Sequence, residues 1–147
     1  MYKKNLLGLD EARVAVDSAL KAARMDTNRP VAIAVVDFHG DLVCFAKMDG
    51  ALPVCTSIAI NKAYTSALTS LDTSTFAERD EKLGRELATY GDGRFTYIRG
   101  GVCIPNPFKG KKLELLGGIG VSGRTPEEDE KLAAAGLQAM KLTLRKR

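Results

Sequence analysis

Residues 31–71 read VAIAVVDFHGDLVCFAKMDGALPVCTSIAINKAYTSALTSL, and this stretch decides the fold. Two apolar runs, residues 31–38 and 42–48, have the composition of strands, and the polar residues between them are typical of a turn. Strands joined by so short a turn are expected to pair antiparallel. The sequence DGALP then ends the second strand, and its proline is tolerated only near the first turn of the helix that follows.

That helix is predicted to carry a face of small side chains. The residues on it recur at spacings of three and four: Ala59, Lys62, Ala63, Ser66, Ala67 and Ser70. Such a face allows close approach of the sheet, a partner helix or a flat ligand. Lys62 is the one long side chain among them and is the first candidate functional residue. The alternative is that its stem packs while its ammonium reaches solvent.

Length and composition indicate one domain, residues 1–147, of an ordinary globular protein. The chain has 147 residues, of which 45% are hydrophobic and 27% charged, so neither disorder nor a membrane span is expected. The net charge of +4 comes from scattered basic clusters with few aromatic residues between them. This pattern argues against binding of nucleic acid.

The cysteines and the N-terminal residues bear on the compartment. Three cysteines without a CxxC pair argue against a disulfide framework and against a thiolate zinc site. The N-terminal residues contain no apolar segment of the kind found in secretory signals. We therefore expect a cytoplasmic protein.

Further helices and strands are predicted on both sides of the central stretch. A helical stripe covers residues 9–25, with Asp10 as its N-cap. A shorter helix follows Asp72 and extends to about Ala88, and Thr125 and Glu128 form a capping box that begins the last helix. Three strand-like segments lie between these helices, at residues 95–99, 102–104 and 113–121. This order predicts an α/β domain with a mostly antiparallel sheet.

Glycines are concentrated in the later strands. Residues 118–123 fit the pattern G-x-G-x-x-G, but the helix follows the motif and no strand follows the helix, so a dinucleotide site is not expected. The glycines instead leave bare backbone against which a ligand or another subunit could lie, or they mark bulges that bend the strands. The backbone N–H groups near Arg124 are a candidate anion site at the start of the last helix, although three acidic residues that follow oppose it.

His39 is the single histidine of the chain. It therefore cannot form a metal site that needs two imidazoles, and any catalytic triad would have to be built on His39 itself. Its position in the predicted turn indicates exposure to solvent. A role as an axial ligand to haem iron is left open, and no other metal site is expected.

Four segments in order, VVDFHGDLVCFAKMDGA, IAINKAYTSA, RGGVCIP and GGIGVSGRTPEEDEKLA, resemble the GlcG/HbpS-like haem-degrading domain family, which includes the C-terminal domain of PduO-type proteins. The resemblance spans nearly the whole chain. It implies an α-β-α layered domain of profilin-like architecture with a central, mostly antiparallel sheet, assembled into homodimers or larger homo-oligomers. The positions that match the family pattern are Asp49, Gly50, Lys62, Ala63, Gly100, Gly101, Ser122, Gly123 and Asp129.

Two departures from the family pattern concern haem. A proline more often follows GGV directly, whereas this chain has Cys103 there and its proline at Pro105. In addition, the first predicted helix contains no histidine that could ligate iron. Both departures argue against coordination of haem iron.

The resemblance implies a small-ligand-binding protein, with haem or a related planar ligand as the candidate. The ligand would lie in a groove formed by Lys62, Arg99, Gly100, Gly101, Ser122 and Gly123, with His39 as a further candidate contact. Lys62 or Arg99 would then pair with a ligand carboxylate. Haem is the one cofactor that the family implies.

An enzyme is the alternative. Some relatives accompany the catabolism of small acids and diols, which indicates a metal-independent lyase, deaminase or tautomerase acting on a small carboxylated intermediate. Lys62 would act as acid, base or Schiff-base amine, with Asp49 or Asp129 as its partner. A purely structural subunit is a third alternative, because each of these residues also has a role in packing.

Overall fold

The computed structural model describes residues 1, 4–107 and 114–145. These residues form four α-helices, a short 3-10 helix and four strands. In chain order they are α1 (Leu9–Ala23), β1 (Ala32–Asp37), β2 (Leu42–Lys47), α2 (Pro53–Thr69), α3 (Thr73–Leu83), the 3-10 helix (Leu87–Tyr90), β3 (Gly101–Pro105), β4 (Leu115–Ser122) and α4 (Pro126–Arg145). The predicted α/β domain is confirmed.

The sheet has the strand order β2-β1-β4-β3, and every neighbouring pair is antiparallel. At one end of the sheet, Ala32 pairs with Lys47 on one side and with Ser122 on the other, and we call this the Ser122 end. At the opposite end, Asp37 accepts hydrogen bonds from the backbone N–H groups of His39 and Asp41, at 2.8 and 3.0 Å, which closes the predicted β1–β2 turn. We call this the His39 end.

Helices cover both faces of the sheet. Alternate side chains of β1 point to opposite faces, so Ile33 and Val35 pack in the cluster that contains α1 and α4 residues, while Ala34 and Val36 pack against α2. The layered α-β-α arrangement is therefore confirmed. Within the described segments, no helix combines the length and apolarity that are needed to cross a bilayer.

The small face of α2 packs on the glycines of β4. A Cβ atom at Gly118 would collide with the backbone of Ala63, and one at Gly120 would collide with the backbone of Ala59. These glycines thus let the helix backbone approach the sheet. Of the three approaches that the sequence left open for this face, the structure shows the sheet, so neither a partner helix nor a flat ligand occupies this space.

Residues 95–99 were predicted as a strand, and that prediction is wrong. They form an irregular segment that crosses α2 and α3: the Phe95 ring lies 5.7 Å from that of Tyr64 and 6.2 Å from that of Phe76. The backbone N–H of Thr96 donates to the side chain of Thr65 at 3.0 Å. A side-chain acceptor thus replaces the strand partner that this backbone group would otherwise need.

The helix boundaries differ in part from the prediction. The N-cap of α1 is Gly8, so Asp10 lies in the first turn. Helix α3 ends at Leu83 because Gly84 adopts a left-handed conformation with φ 62°. The predicted start of α4 is confirmed, since Glu128 donates its N–H to the Thr125 hydroxyl at 3.3 Å. The predicted strand at 113–121 corresponds to β4, although residue 113 lies outside the described residues.

Candidate functional site

Lys62 and Asp129 form a buried ion pair at the Ser122 end. The Lys62 ammonium donates to Asp129 Oδ2 at 3.1 Å and to the Val121 carbonyl oxygen at 2.8 Å. Only 1% of the Lys62 side chain and 3% of the Asp129 side chain are exposed. The alternative in which this ammonium reaches solvent is therefore wrong. The pair instead connects α2, β4 and α4 through one cation.

The second oxygen of Asp129 fills the predicted anion site. Asp129 Oδ1 accepts the backbone N–H of Arg124 at 2.9 Å, just before α4. The anion at this helix start is thus a carboxylate of the helix itself. The Arg124 guanidinium points elsewhere and donates to the carbonyl oxygens of Ala23, Asp26 and Arg29 at 2.7 to 2.9 Å, at the end of α1 and in the segment after it.

Burial moves both partners of the pair toward their neutral forms. Desolvation lowers the pKa of Lys62 and raises that of Asp129, and in each case the charge of the partner opposes the shift. Acid–base residues in active sites often show this combination of burial and a specific charged partner. Here, however, the described residues leave only 1% of the Lys62 side chain exposed, so a substrate would need a local opening to reach the amine.

Gly100 closes over the pair, and Gly101 packs on the backbone of α2 beside it. Gly100 has φ 130°, and a Cβ atom on it would lie 2.7 Å from the Lys62 amine nitrogen. The N–H of Gly101 donates to the Thr73 hydroxyl at 3.0 Å, while a Cβ atom there would collide with the Lys62 carbonyl oxygen. The structure therefore brings these predicted residues together with Lys62, but as a tight cover.

Three further predicted residues lie at the same end of the sheet. Ser122 is buried in β4, and Gly123 follows it with φ 146°, close to the backbone of Val31. Arg99 lies nearer the surface, where its guanidinium pairs with Glu130 at 2.9 Å and its side chain is 42% exposed. Of Lys62 and Arg99, the two cations predicted to pair with a ligand carboxylate, Arg99 is thus the one that solvent reaches.

His39 is not brought to these residues. It is exposed in the β1–β2 turn and stacks edge to face on Phe38, with ring centroids 5.0 Å apart. The length of β1 separates it from the Ser122 end, which at about 3.3 Å per residue is roughly 17 Å. The predicted exposure of His39 is confirmed, but it lies at the opposite end from the other candidates.

Asp49 lines an open cleft between α1 and β2. The cleft has a volume of about 550 Å³ and lies at the Ser122 end, beside Lys47. Its apolar lining consists of Leu20, Ala46 and Met48, and its polar lining of Arg24, Thr27, Lys47 and Asp49. Neither Lys62 nor Gly100 belongs to this lining.

The family model described as "Haem degrading protein HbpS-like" matches residues 7–138. The chain belongs to the HbpS-like family. An uncharacterised 15.0 kDa protein from the dhaT-dhaS intergenic region of Citrobacter freundii is 32% identical over 124 residues, which cover 81% of this chain and 82% of that protein.

Solved structures of similar proteins share the fold. A double mutant of HbpS from Streptomyces reticuli superposes with a TM-score of 0.80 at 30% identity, covering 94% of this HbpS-like chain and 89% of the other. A complex of PduOC with haem gives a TM-score of 0.77 at 24% identity, with 92% of this chain and 95% of the other covered. At that identity the second likeness supports the fold alone.

Sequence reasoning missed most of the cleft. Leu20 lies in α1, Arg24 directly follows that helix, and Lys47 ends β2 more than twenty positions later. The sequence contained only a weak indication of the cleft, because Arg24 at the end of a helix and Lys47 at the end of a strand look like ordinary exposed cations. Only the packing of α1 beside the edge strand brings them together.

A buried carboxylate, Asp80, was also missed. Tyr90 and Tyr97 donate their hydroxyls to Asp80 Oδ2 at 2.7 and 2.8 Å. Burial alone would raise the pKa of Asp80, but these hydrogen bonds and the Arg79 guanidinium bring it below its ordinary value. The cluster attaches the irregular segment to α3, and no pattern in the sequence indicates it.

The described residues also bear on metal binding. Among them, no group of three or more His, Cys, Asp or Glu side chains is placed to hold a metal ion.

Proposed function

We propose that the chain binds a small, planar, carboxylated organic ligand in the cleft between α1 and β2, with haem or a related tetrapyrrole as the first candidate. The observation that carries this proposal is the cleft itself, whose volume is about 550 Å³. Ligand sites commonly span roughly 300–1,000 Å³ and combine an apolar lining with a few polar groups that orient the ligand. The description of the family as haem-degrading supports the choice of ligand class.

The lining suits a flat apolar body with acidic groups at its edge. Leu20, Ala46 and Met48 supply apolar contact area, while the exposed residues Arg24 and Lys47 add positive charge at the end of α1 and at the end of β2. A guanidinium binds a carboxylate through two parallel hydrogen bonds, and an ammonium acts as a compact point charge. Asp49 offsets one of the two positive charges, so the lining retains a net positive charge that favours an anionic ligand.

This proposal moves the ligand site away from the groove that the sequence predicted. The Lys62 ammonium already has a carboxylate and a carbonyl oxygen as partners, and almost none of its side chain is exposed. Asp49 is the predicted site residue that lines the cleft. Four other predicted ligand contacts do not line the cleft and stay predictions: Arg99, Ser122, Gly123 and His39.

Titration of the purified chain with haemin tests the proposal. We expect a shifted Soret band on binding, and we expect Arg24→Gln and Lys47→Gln each to weaken binding roughly tenfold, about 1.4 kcal/mol, because each removes a charged contact. Arg13→Gln is the matched control, since Arg13 is exposed on α1 but does not line the cleft. An unchanged Soret band, or equal affinities in all three variants, would contradict the proposal.

The enzyme is a second candidate, favoured by the opposed pKa shifts of Lys62 and Asp129. A buried amine of lowered pKa is suited to Schiff-base chemistry once a substrate reaches it. Incubation with pyruvate and cyanoborohydride, followed by peptide mass mapping, tests this role. Reductive labelling of Lys62 would support the enzyme, whereas labelling of exposed lysines alone would remove this role.

Assembly into a homo-oligomer stays a prediction from the family resemblance, and a cytoplasmic location stays a prediction from the cysteines and the N-terminal residues. Light scattering coupled to size-exclusion chromatography measures the mass of the particle in solution. We expect a multiple of the 15.8 kDa chain, and a mass equal to one chain would contradict that expectation.

A further inference from the structure

We infer that the cleft recognises the flat body and the carboxylates of a tetrapyrrole but supplies no ligand to its metal, so that metal-free protoporphyrin IX binds as tightly as haem. This inference rests on the proposed function and adds to it which part of the ligand is recognised. Its basis is the chemistry of the cleft lining together with the positions of the other side chains that could ligate iron.

Met48 is the one residue of the lining whose side chain is a common haem ligand. Protein ligands to haem iron are chiefly His, Cys, Met and Tyr. The Met48 sulfur, however, accepts the backbone N–H of Val31 at 3.4 Å, and only 9% of the residue is exposed. The sulfur therefore already has an internal partner at the start of β1, and its side chain contributes mainly apolar surface to the cleft.

The histidine and the described tyrosines lie too far from the cleft. His39 is at the opposite end of the sheet. Tyr64, Tyr90 and Tyr97 belong to the layer that covers the other face of the sheet, where their hydroxyls donate to Asp92 or to Asp80. None of these side chains lines the cleft.

The three cysteines are the remaining candidates, and Cys55 is buried on α2, in the cluster on the other face of the sheet. Cys103 lies on β3, at the far edge of the sheet, and burial together with Asp72 raises the pKa of its thiol to about 12. The thiolate that iron requires is therefore disfavoured there. Cys44 is on the same face of β2 as Ala46 but packs against the core shared by α1 and α4, and it does not line the cleft.

What the cleft does offer is independent of the metal. The two cations, Arg24 and Lys47, match carboxylate groups, and the apolar residues match the ring. Haem and metal-free protoporphyrin IX share the ring and both carboxylates, and they differ only at the centre. A site that contacts the edge and the face of the ring, without a ligand to iron, has no basis for distinguishing them.

The test compares haemin with metal-free protoporphyrin IX on the full chain. Porphyrin fluorescence anisotropy measures binding of the metal-free ligand, and displacement by haemin then measures haem on the same scale. We expect affinities that agree within about fivefold, and a Soret spectrum of bound haem that is the same in wild type, Met48→Leu, Cys44→Ser and His39→Ala. Circular dichroism shows that each variant is folded, so a changed Soret spectrum reports on the ligation of iron.

Two results would overturn the inference. One is haem binding tighter than that of protoporphyrin IX by more than about fivefold. The other is a wild-type Soret spectrum typical of iron with a protein ligand. This spectrum would have to disappear in one of the three variants while that variant still binds protoporphyrin IX. If neither compound binds, the proposed function itself fails, and that outcome is distinct from binding of haem alone.

Discussion

Lys62 on α2 and Asp129 on α4 meet across β4 with 3.1 Å between the amine nitrogen and the carboxylate oxygen, and both side chains are buried. The pair joins helices that lie on opposite faces of the sheet. Besides their contact with each other, the Lys62 ammonium donates to the Val121 carbonyl oxygen, and the Asp129 carboxylate accepts the backbone N–H of Arg124. These hydrogen bonds offset part of the free-energy cost of removing the two charges from water. Its role in the fold is therefore testable separately from any role in chemistry.

Replacement of Lys62 by methionine removes the cation but keeps the approximate length of the side chain. Asp129 is then left buried and without its cation, so we expect the free energy of unfolding to fall by about 3–5 kcal/mol. Urea denaturation followed by circular dichroism measures this loss.

The double variant Lys62→Met with Asp129→Leu is the control for this loss. It removes both charges and should recover most of the lost stability, because a buried ion pair can be replaced by apolar side chains at little cost. A single variant within about 1 kcal/mol of wild type would show that the pair does not stabilise the fold.

Gly100→Ala tests the close cover over the amine. The substituted residue would have to keep a φ of 130° and place its Cβ atom 2.7 Å from the Lys62 nitrogen. We expect a loss of roughly 3 kcal/mol or more in the free energy of unfolding.

Gly91→Ala is the matched control, since Gly91 has φ 63° and nothing within 4 Å of the added Cβ atom. It should cost only about 1 kcal/mol. Equal losses in the two variants would mean that the contact with Lys62 adds nothing to the backbone strain.

The hydroxyl of Tyr97 is expected to titrate late. Burial and its hydrogen bond to Asp80 raise the pKa of Tyr97 to about 12, whereas an unfolded tyrosine titrates near 10. The raised pKa stabilises the folded state fully below about pH 10, and this contribution is lost as the pH rises toward about 12.

Absorbance at 295 nm measures ionisation of the tyrosines. One late-titrating group should disappear from the titration of Tyr97→Phe, and the remaining loss of stability between about pH 10 and 12 should be smaller. An unchanged titration curve in that variant would contradict this assignment.

Ligand binding in the cleft should weaken as salt is added. Arg24 and Lys47 are exposed, so their attraction for a ligand carboxylate is screened when the ionic strength rises from about 0.05 to 0.5 M. We expect the affinity for haemin to fall over this range in wild type, and to fall less in Arg24→Gln and in Lys47→Gln. Arg13→Gln should retain the full salt dependence, and equal dependence in all variants would place the carboxylates elsewhere.

The elements predicted correctly from sequence are those with local causes. The β1–β2 hairpin follows from two apolar runs and the polar turn at Asp37, and α4 begins where Thr125 and Glu128 form the capping box. In each case the interacting groups are a few positions apart, so the pattern of residues contains the information. The face of small residues on α2 was also evident, because it depends on helical spacing alone.

The residues around the Lys62–Asp129 pair were predicted in part, again from patterns along the chain. Helical spacing marked Lys62, and the family pattern marked Asp129 and Gly100, which the structure brings together. Whether the amine is open or sealed could not be predicted, since it depends on how closely residues from α2, β3 and α4 approach. The strand expected at residues 95–99 failed likewise, because Thr65, a partner distant in sequence, binds that backbone.

By itself, the sequence determined most of the helices and strands, the antiparallel hairpin and the start of α4, because each depends on interactions between neighbouring positions. Only the tertiary structure decided that Lys62 is paired with Asp129 and sealed, and that Arg24 and Lys47 flank one cleft. The physical reason is that burial and charge pairing depend on distances between segments far apart in the chain, which packing of the three layers sets.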